Sequence, residues 1–375
     1  MRIAMFYHSV RSDWNHGNAH FLRGVASELI AQGHTVQIFE PENAWSVANL
    51  LRQAGPDAIA AFSRIYPNLN AQLYRLETLD IDEVLDGVHL VIVHEWNEHE
   101  LVARIGEHRA HNGGYRLLFH DTHHRSLTEH ADIARYDLRH YDGVLAFGEV
   151  IRDRYLNAGW CEKAWTWHEA ADTRIFRPLV NEPPDGDLVW VGNWGDDERT
   201  SELSEFLFEP AADLGLRTRI HGVRYPRAAL EQLDAHGIDY GGWLANFDVP
   251  RAFARHKVTV HIPRRPYAES LPGIPTIRPF EAMACGIPLV TSPWVDSEGL
   301  FHAGRDYLVA RNGEEMRRHL RDLLSDPAMA SEIGMKGHQV LIERHTCVHR
   351  VDELLHICRE LGMPDVFRNQ GESNR

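Results

Sequence analysis

Positive charge is in short supply: 39 Lys and Arg stand against 54 Asp and Glu, a net charge of −15. A general nucleic-acid binder carries a basic footprint, so that class is set aside. Loose adsorption to anionic lipid is disfavoured with it. Long hydrophobic runs are missing as well. Apolar runs such as Leu90 to Val93 and Val144 to Phe147 fall far below the roughly 18 apolar residues that span a bilayer. The opening Met1-Arg2-Ile3-Ala4-Met5-Phe6-Tyr7 runs straight into polar residues and shows no secretory signal. Cysteine is sparse: Cys161, Cys285, Cys347 and Cys358 make no CxxC pair and no zinc spacing. Free thiols in a reducing compartment, and hence a cytoplasmic protein, are the expectation. Two phosphate-binding signatures are also lacking, GxGxxG and GxxxxGK[ST], which removes the simplest dinucleotide and P-loop readings.

What is present is ordinary globular material: 375 residues, 43% hydrophobic, enough for two or three domains. Short apolar runs alternate with amphipathic stretches. Strands are predicted at Arg2 to Tyr7, Val36 to Phe39, Leu90 to Val93, Leu117 to Phe119 and Val144 to Phe147. A helix is predicted over His20 to Gln32, with Phe21, Leu22, Val25, Leu29 and Ile30 on one face and Gly33 as its stop. Continuously apolar strands alternating with helices imply a parallel sheet covered on both faces. Asn181 to Asp187 is a polar, Pro- and Gly-bearing break. Beyond it the alternation restarts: strands at Leu188 to Val191, Thr218 to Ile220 and Val258 to Ile262, helices over Thr200 to Ala211 and Arg227 to Ala235. Helical patterns follow at Glu314 to Leu324 and Cys347 to Leu361, and the polar 363–375 is expected to be a flexible tail. The expected fold class is α/β, with two doubly wound, Rossmann-like domains facing a cleft. Ligands in such sheets bind at the carboxyl ends of the strands, so the cleft is the expected site.

Three stretches could carry chemistry there. After the first strand, His16-Gly17-Asn18 precedes a helix and can offer backbone N–H groups to an anion or a hydroxyl-rich ligand, or merely cap that helix. His120-Asp121-Thr122-His123-His124 follows a buried strand and would project titratable groups into the cleft. Imidazole and carboxylate are metal ligands, but no second cluster completes a metal site. Thr276 to Thr291 is the most specific: a helix with Pro279 near its start and Gly286 at its end, running into a buried strand. Its first-turn N–H groups suit a diphosphate. Glu281, one turn in, could accept two ribose hydroxyl hydrogen bonds, or simply favour the helix dipole.

Arg278-Pro279-Phe280-Glu281-Ala282-Met283-Ala284-Cys285-Gly286 resembles the donor-site signature of retaining, nucleotide-sugar-dependent glycosyltransferases of the GT-B fold, family 4-like. With His345-Thr346-Cys347-Val348-His349-Arg350, it is most similar to the CgeB-like glycosyltransferase group. Gly33-His34-Thr35-Val36, His120 to His123 and Trp167 to Pro178 match other family segments in the expected order. The resemblance covers most of residues 1–362. It implies an acceptor-binding domain over 1–180, a nucleotide-sugar-binding domain over 181–345 and a helix over 346–362 crossing back to the first domain. It further implies a hexosyltransferase-type enzyme moving a sugar from a nucleotide diphosphate sugar to a glycan or other hydroxyl-bearing acceptor, with retention. No metal, cofactor, nucleic acid or integral membrane segment is expected.

Carried over by position, Glu281 would bind the ribose, and the backbone at Thr276 and Ile277 the diphosphate, assisted by Arg278. Arg199 would be the phosphate-binding base, with Asn193 where the family has its second one. His123, His124 and Asp121 would serve catalysis by positioning the acceptor, with His16, Gly17 and Asn18 on the acceptor side. The family's first donor-site Glu falls on Gly273 here, with Glu269 the alternative carboxylate. Two other readings share the fold: a nucleotide-sugar epimerase, and a nucleotide-sugar-binding protein without turnover.

Overall fold

A computed structural model describes residues 1–364. Of the expected tail over 363–375, residues 365–375 lie outside the described residues. The first lobe is built on seven parallel strands: β1 (Arg2–Phe6), β2 (Thr35–Pro41), β3 (Ala71–Tyr74), β4 (Leu90–His94), β5 (Arg116–Asp121), β6 (Gly143–Ala146) and β7 (Ala164–Thr166). Their spatial order is β3-β2-β1-β4-β5-β6-β7. The second lobe has β8 (Leu188–Val191), β9 (Thr218–His221), β10 (Asp239–Gly242), β11 (Val258–His261), β12 (Leu289–Thr291) and β13 (Leu308–Val309). Their order is β10-β9-β8-β11-β12-β13, again all parallel. Strand order therefore reverses between β1 and β4 in one lobe and between β8 and β11 in the other. A crevice opens at the carboxyl ends of each such pair.

Local sequence explains the scaffold. All five residues of β4 are buried, as an apolar run covered on both faces requires. The Ala19–Ala31 helix buries Phe21, Leu22, Val25 and Leu29, and Gly33, at φ 84°, turns the chain into β2. The last helix, Cys347–Glu360, lies on that helix and shares its core: Val351, Leu354, Ile357 and Cys358 join Phe21, Leu22 and Val25. Burying each such aliphatic side chain is worth about 1.5–3 kcal/mol. Gly24 permits the approach, since a Cβ there would sit 2.5 Å from Cys347 Sγ. The two connections between lobes run side by side. Ala171 N donates to His345 O at 3.1 Å, and Cys347 N donates to Ala171 O at 3.0 Å.

Two helical expectations differ in detail. The helix read over Thr200 to Ala211 is α-helical only at Thr200–Leu203 and Glu209–Asp213, with a wider turn at Ser204–Phe208. Pro210 has no N–H to continue an α-ladder there. An eighteen-residue helix, Pro327–Arg344, had no clear sequence signal. Gly334 and Gly337 interrupt its pattern because main chain presses on them: a Cβ at Gly334 would lie 2.3 Å from Gly286 O, and one at Gly337 2.7 Å from Asp306 O. None of the helices among the described residues is long and apolar enough to cross a membrane.

Candidate active site between the lobes

The two crevices face each other and enclose a cavity of about 570 Å³. The first lobe supplies the loop after β1 (Asn15 to Asn18), Trp96 after β4, and Thr122, His123 and His124 after β5. The second supplies the loop after β8 (Gly192 to Arg199), His261 and Arg264 at the end of β11, and the start of the Ile277–Cys285 helix. Of the residues expected from sequence, His16, Gly17, Asn18, His123, His124, Asn193, Arg199, Thr276, Ile277 and Arg278 all line it.

The second-lobe wall is electropositive. Arg199 is buried, and its Nη1 donates to Ile262 O at 2.8 Å, its Nη2 to Asn193 O and its Nε to Trp194 O. The Trp190 ring lies 5.1 Å beneath it. Burial, then the nearby Arg264 and Arg278, press its pKa down to about 9. Arg264 pairs with Glu198 at 3.1 Å, and Arg278 pairs with Glu281. His261 is held neutral, at about 3, by burial and then by Arg199 and Arg278. Thr276 enters the helix at φ 60°, ψ 179°, a region normally left to glycine, and no side chain caps the helix. Pro279 has no N–H, so the first-turn donors belong to Ile277 and Arg278. Cationic groups and a bare helix start thus meet at one corner, the requirement for holding a polyanion.

The first-lobe wall is aromatic and imidazole-rich. His123 packs edge-on to Trp96, 5.2 Å between centroids, and lies 4.0 Å from the His124 ring. Burial, then the neighbouring His124, Arg264 and Arg125, hold the His123 pKa well below the ordinary value. A neutral imidazole with a buried, unpartnered Nδ1 can accept a proton. His124 bridges the lobes: Nδ1 meets Thr128 Oγ1 at 2.9 Å, and Nε2 lies 3.4 Å from Glu198 of the second lobe. Asn18 Nδ2 donates to Thr122 O at 3.1 Å, tying the loop after β1 to the loop after β5. Gly17 passes close to the helix start, where a Cβ would touch Ile277 Cγ2 at 3.4 Å. Asn193 Nδ2 donates to Asn15 Oδ1 at 2.8 Å across the cleft.

Asp121 and Glu281 do not line the cavity; both are fully buried. Asp121 Oδ1 accepts from His123 N at 2.9 Å, and Oδ2 accepts from Tyr155 O–H at 2.8 Å. Burial lifts its pKa to about 6 against those two bonds. It holds the histidine loop instead of touching the cavity. Glu281 has both oxygens taken, one by His20 Nδ1 at 2.8 Å and the other by Arg278. At Gly273 the chain has φ +87°, and a Cβ would sit 2.4 Å from Glu298 Oε1. Glu298 occupies that space, bonded to His168 Nε2 at 2.7 Å and to Glu149 N at 2.9 Å. Glu269 does not line the cavity.

The sequence reading missed Arg264, His261, Glu198, Trp96 and Tyr267, all of which line the cavity. Position at strand ends was the available signal: His261 closes β11, and Pro263-Arg264 comes one residue further on. Among the described residues no group of three or more His, Cys, Asp or Glu is placed to hold a metal ion.

Solved structures of the same shape cover nearly the whole chain. Sucrose-phosphate synthase from Thermosynechococcus elongatus aligns over 96% of this chain and 99% of its own, with a TM-score of 0.65 and 15% identity. Anabaena HepE in complex with UDP-glucose aligns over 96% and 100%, with a TM-score of 0.66 and 12% identity. This is a GT-B glycosyltransferase fold. An alpha-glucosyltransferase in complex with UDP and a 13-mer DNA shares the GT-B arrangement, with a TM-score of 0.64, 11% identity, and coverage of 96% and 99%. Residues 199–356, which include most of the second lobe, match the Glycosyl transferase-like family model. No curated protein sequence matches the chain.

Proposed function

We propose that the protein transfers a sugar, of the hexosyl type, from a nucleoside diphosphate sugar to an acceptor hydroxyl with retention at the anomeric carbon. The observation that carries this reading is the convergence of Arg199, Arg264 and Arg278 with an uncapped helix start, opposite neutral His123 in the other lobe. The complexes of HepE with UDP-glucose and of the alpha-glucosyltransferase with UDP support the choice of donor.

In this mechanism the second lobe binds the donor. Arg199, Arg278 and the N–H groups of Ile277 and Arg278 take the diphosphate, with Arg264 beside them, and stabilise the charge that develops as it leaves. The first lobe binds the acceptor against His16, Gly17, Asn18 and the histidine loop. His123 and His124 orient the hydroxyl and accept its proton, while Asp121 fixes their loop. The hydroxyl attacks the face that the diphosphate vacates, so no protein nucleophile is needed, and the cationic groups do the work a metal would. The net charge of −15 argues for a glycan or other non-nucleic acceptor. The unpaired thiols fit a cytoplasmic setting, and the Arg278 to Gly286 segment supports a CgeB-like subgroup.

Product analysis with a panel of nucleotide sugars tests the reading. A glycosylated acceptor with retained anomeric configuration is expected. An isomerised donor would make the protein an epimerase, and tight binding with no conversion would make it a binding protein.

A further inference from the structure

One buried chain of contacts joins the first lobe to the donor corner. His20 lies in the Ala19–Ala31 helix and is fully buried. Its Nε2 accepts a hydrogen bond from Asp172 N at 2.8 Å, which leaves Nδ1 to carry the proton and donate to Glu281 Oε1 at 2.8 Å. Its ring stacks on Phe176 at 4.0 Å between centroids. Tautomer, direction and ring plane are therefore all fixed by groups outside the cavity. The other oxygen of Glu281 pairs with Arg278, and Arg278 faces the cavity.

We propose that His20 is a positioning residue of the donor site, occupying one oxygen of Glu281 so that Arg278 engages only the other and keeps its remaining donors toward the diphosphate. The inference rests on the transferase reading above and deepens it. An arginine beside a free carboxylate prefers the two-bond, fork-to-fork arrangement. Such a pair would turn the guanidinium toward Glu281 and away from the cavity. His20 prevents this by filling the second acceptor position. A further carboxylate makes the restraint more consequential. Glu169 is buried close by, its Oε1 has no hydrogen-bond partner, and it lies within the field of both Glu281 and Arg278. Glu281 thus acts through Arg278, and the first lobe contributes to donor binding without touching the donor.

The test is calorimetry with UDP, GDP, ADP and inorganic pyrophosphate on the wild type, His20→Ala, His20→Phe and His20→Gln, together with donor and acceptor KM. His20→Phe retains the stack on Phe176 without a donor; His20→Gln retains an N–H donor without the ring. Expected is about a tenfold loss of affinity for the preferred nucleoside diphosphate and for pyrophosphate in the Ala and Phe variants. Donor KM should rise in step while acceptor KM stays put, and His20→Gln should recover most of the loss. If His20→Ala does not fold, the Phe and Gln pair carries the same comparison. Wild-type affinity in folded His20→Phe, or equal losses in Phe and Gln, would overturn the proposal while leaving the transferase reading intact. Failure of the wild type to bind any of the four probes would overturn that reading and this proposal with it.

Discussion

Buried Arg199 donates to three main-chain carbonyls, and Glu198, the carboxylate in its field, is paired with Arg264 instead. A guanidinium does not escape by deprotonating at neutral pH, so an anion is the relief available to it. Arg199→Lys keeps the charge but loses the fork, and nucleoside diphosphate affinity should fall roughly tenfold by calorimetry, in line with charge-assisted hydrogen bonds. Unchanged affinity would remove Arg199 from the diphosphate site. His123 offers a pH test. Its depressed pKa keeps the imidazole unprotonated below the ordinary histidine range, so protonation stops catalysis only at lower pH. The acid limb of kcat/KM should therefore lie well below the ordinary histidine value of 6.5, and it should vanish in His123→Ala. An acid limb near 6.5 would mean that another group titrates. The histidine loop stood out in the sequence because it directly follows a buried strand, whereas Arg199, eight residues past β8, was singled out only through the family resemblance. Glu281 was legible as a helix residue, but its partner His20 stands 261 positions away, beyond the reach of local pattern.

At the scale of elements, the strand-end loops and the Ile277–Cys285 helix decide what the cavity can hold. Gly273 shows the limits of matching by position. The loop needs a positive φ there, and Glu298 fills the neighbouring space. Gly273→Ala should destabilise the fold by about 1–3 kcal/mol, measured by denaturant unfolding, because strain and collision act together. Gly273→Glu, although it places a carboxylate where the resembling family has one, should bind the donor no better. Tighter donor binding in that variant would show that the loop yields more easily than its packing implies. Most strands and the first and last helices were legible because their apolar spacing is unbroken. Short edge strands were not: β3, β7, β10 and β13 have two to four residues each. The Pro327–Arg344 helix was hidden by glycines that serve a neighbouring chain, a requirement that only tertiary structure reveals.

On the scale of the whole molecule, the lobes are latched across the cleft by Asp13. Its Oδ1 accepts from Trp243 Nε1 at 2.9 Å, and its Oδ2 accepts from Asn246 N at 3.1 Å and from Arg23 Nη1 at 2.9 Å. Asp13→Ala would strip the buried Arg23 of its counter-charge and free both second-lobe donors. The variant should be more open in small-angle scattering, with donor KM raised severalfold, and UDP should restore compactness. A scattering profile identical to the wild type would place the closing energy elsewhere. The two-lobe plan was legible from the restart of alternation after Asn181 to Asp187; the latch was not, because no local pattern joins Asp13 to residues more than 200 positions away. The paired crossing at Ala171 and Thr346 bears on how such a molecule moves. A single tether would leave one lobe free to twist and slide against the other, whereas two adjoining strands permit chiefly rotation about their shared axis. Displacement then grows with the radius from that axis. His20, bonded to the crossing through Asp172 N, sits near the pivot and moves least. Fluorophores at exposed positions on the outer rims should report large distance changes when UDP binds, and a pair flanking Ala171 should report almost none.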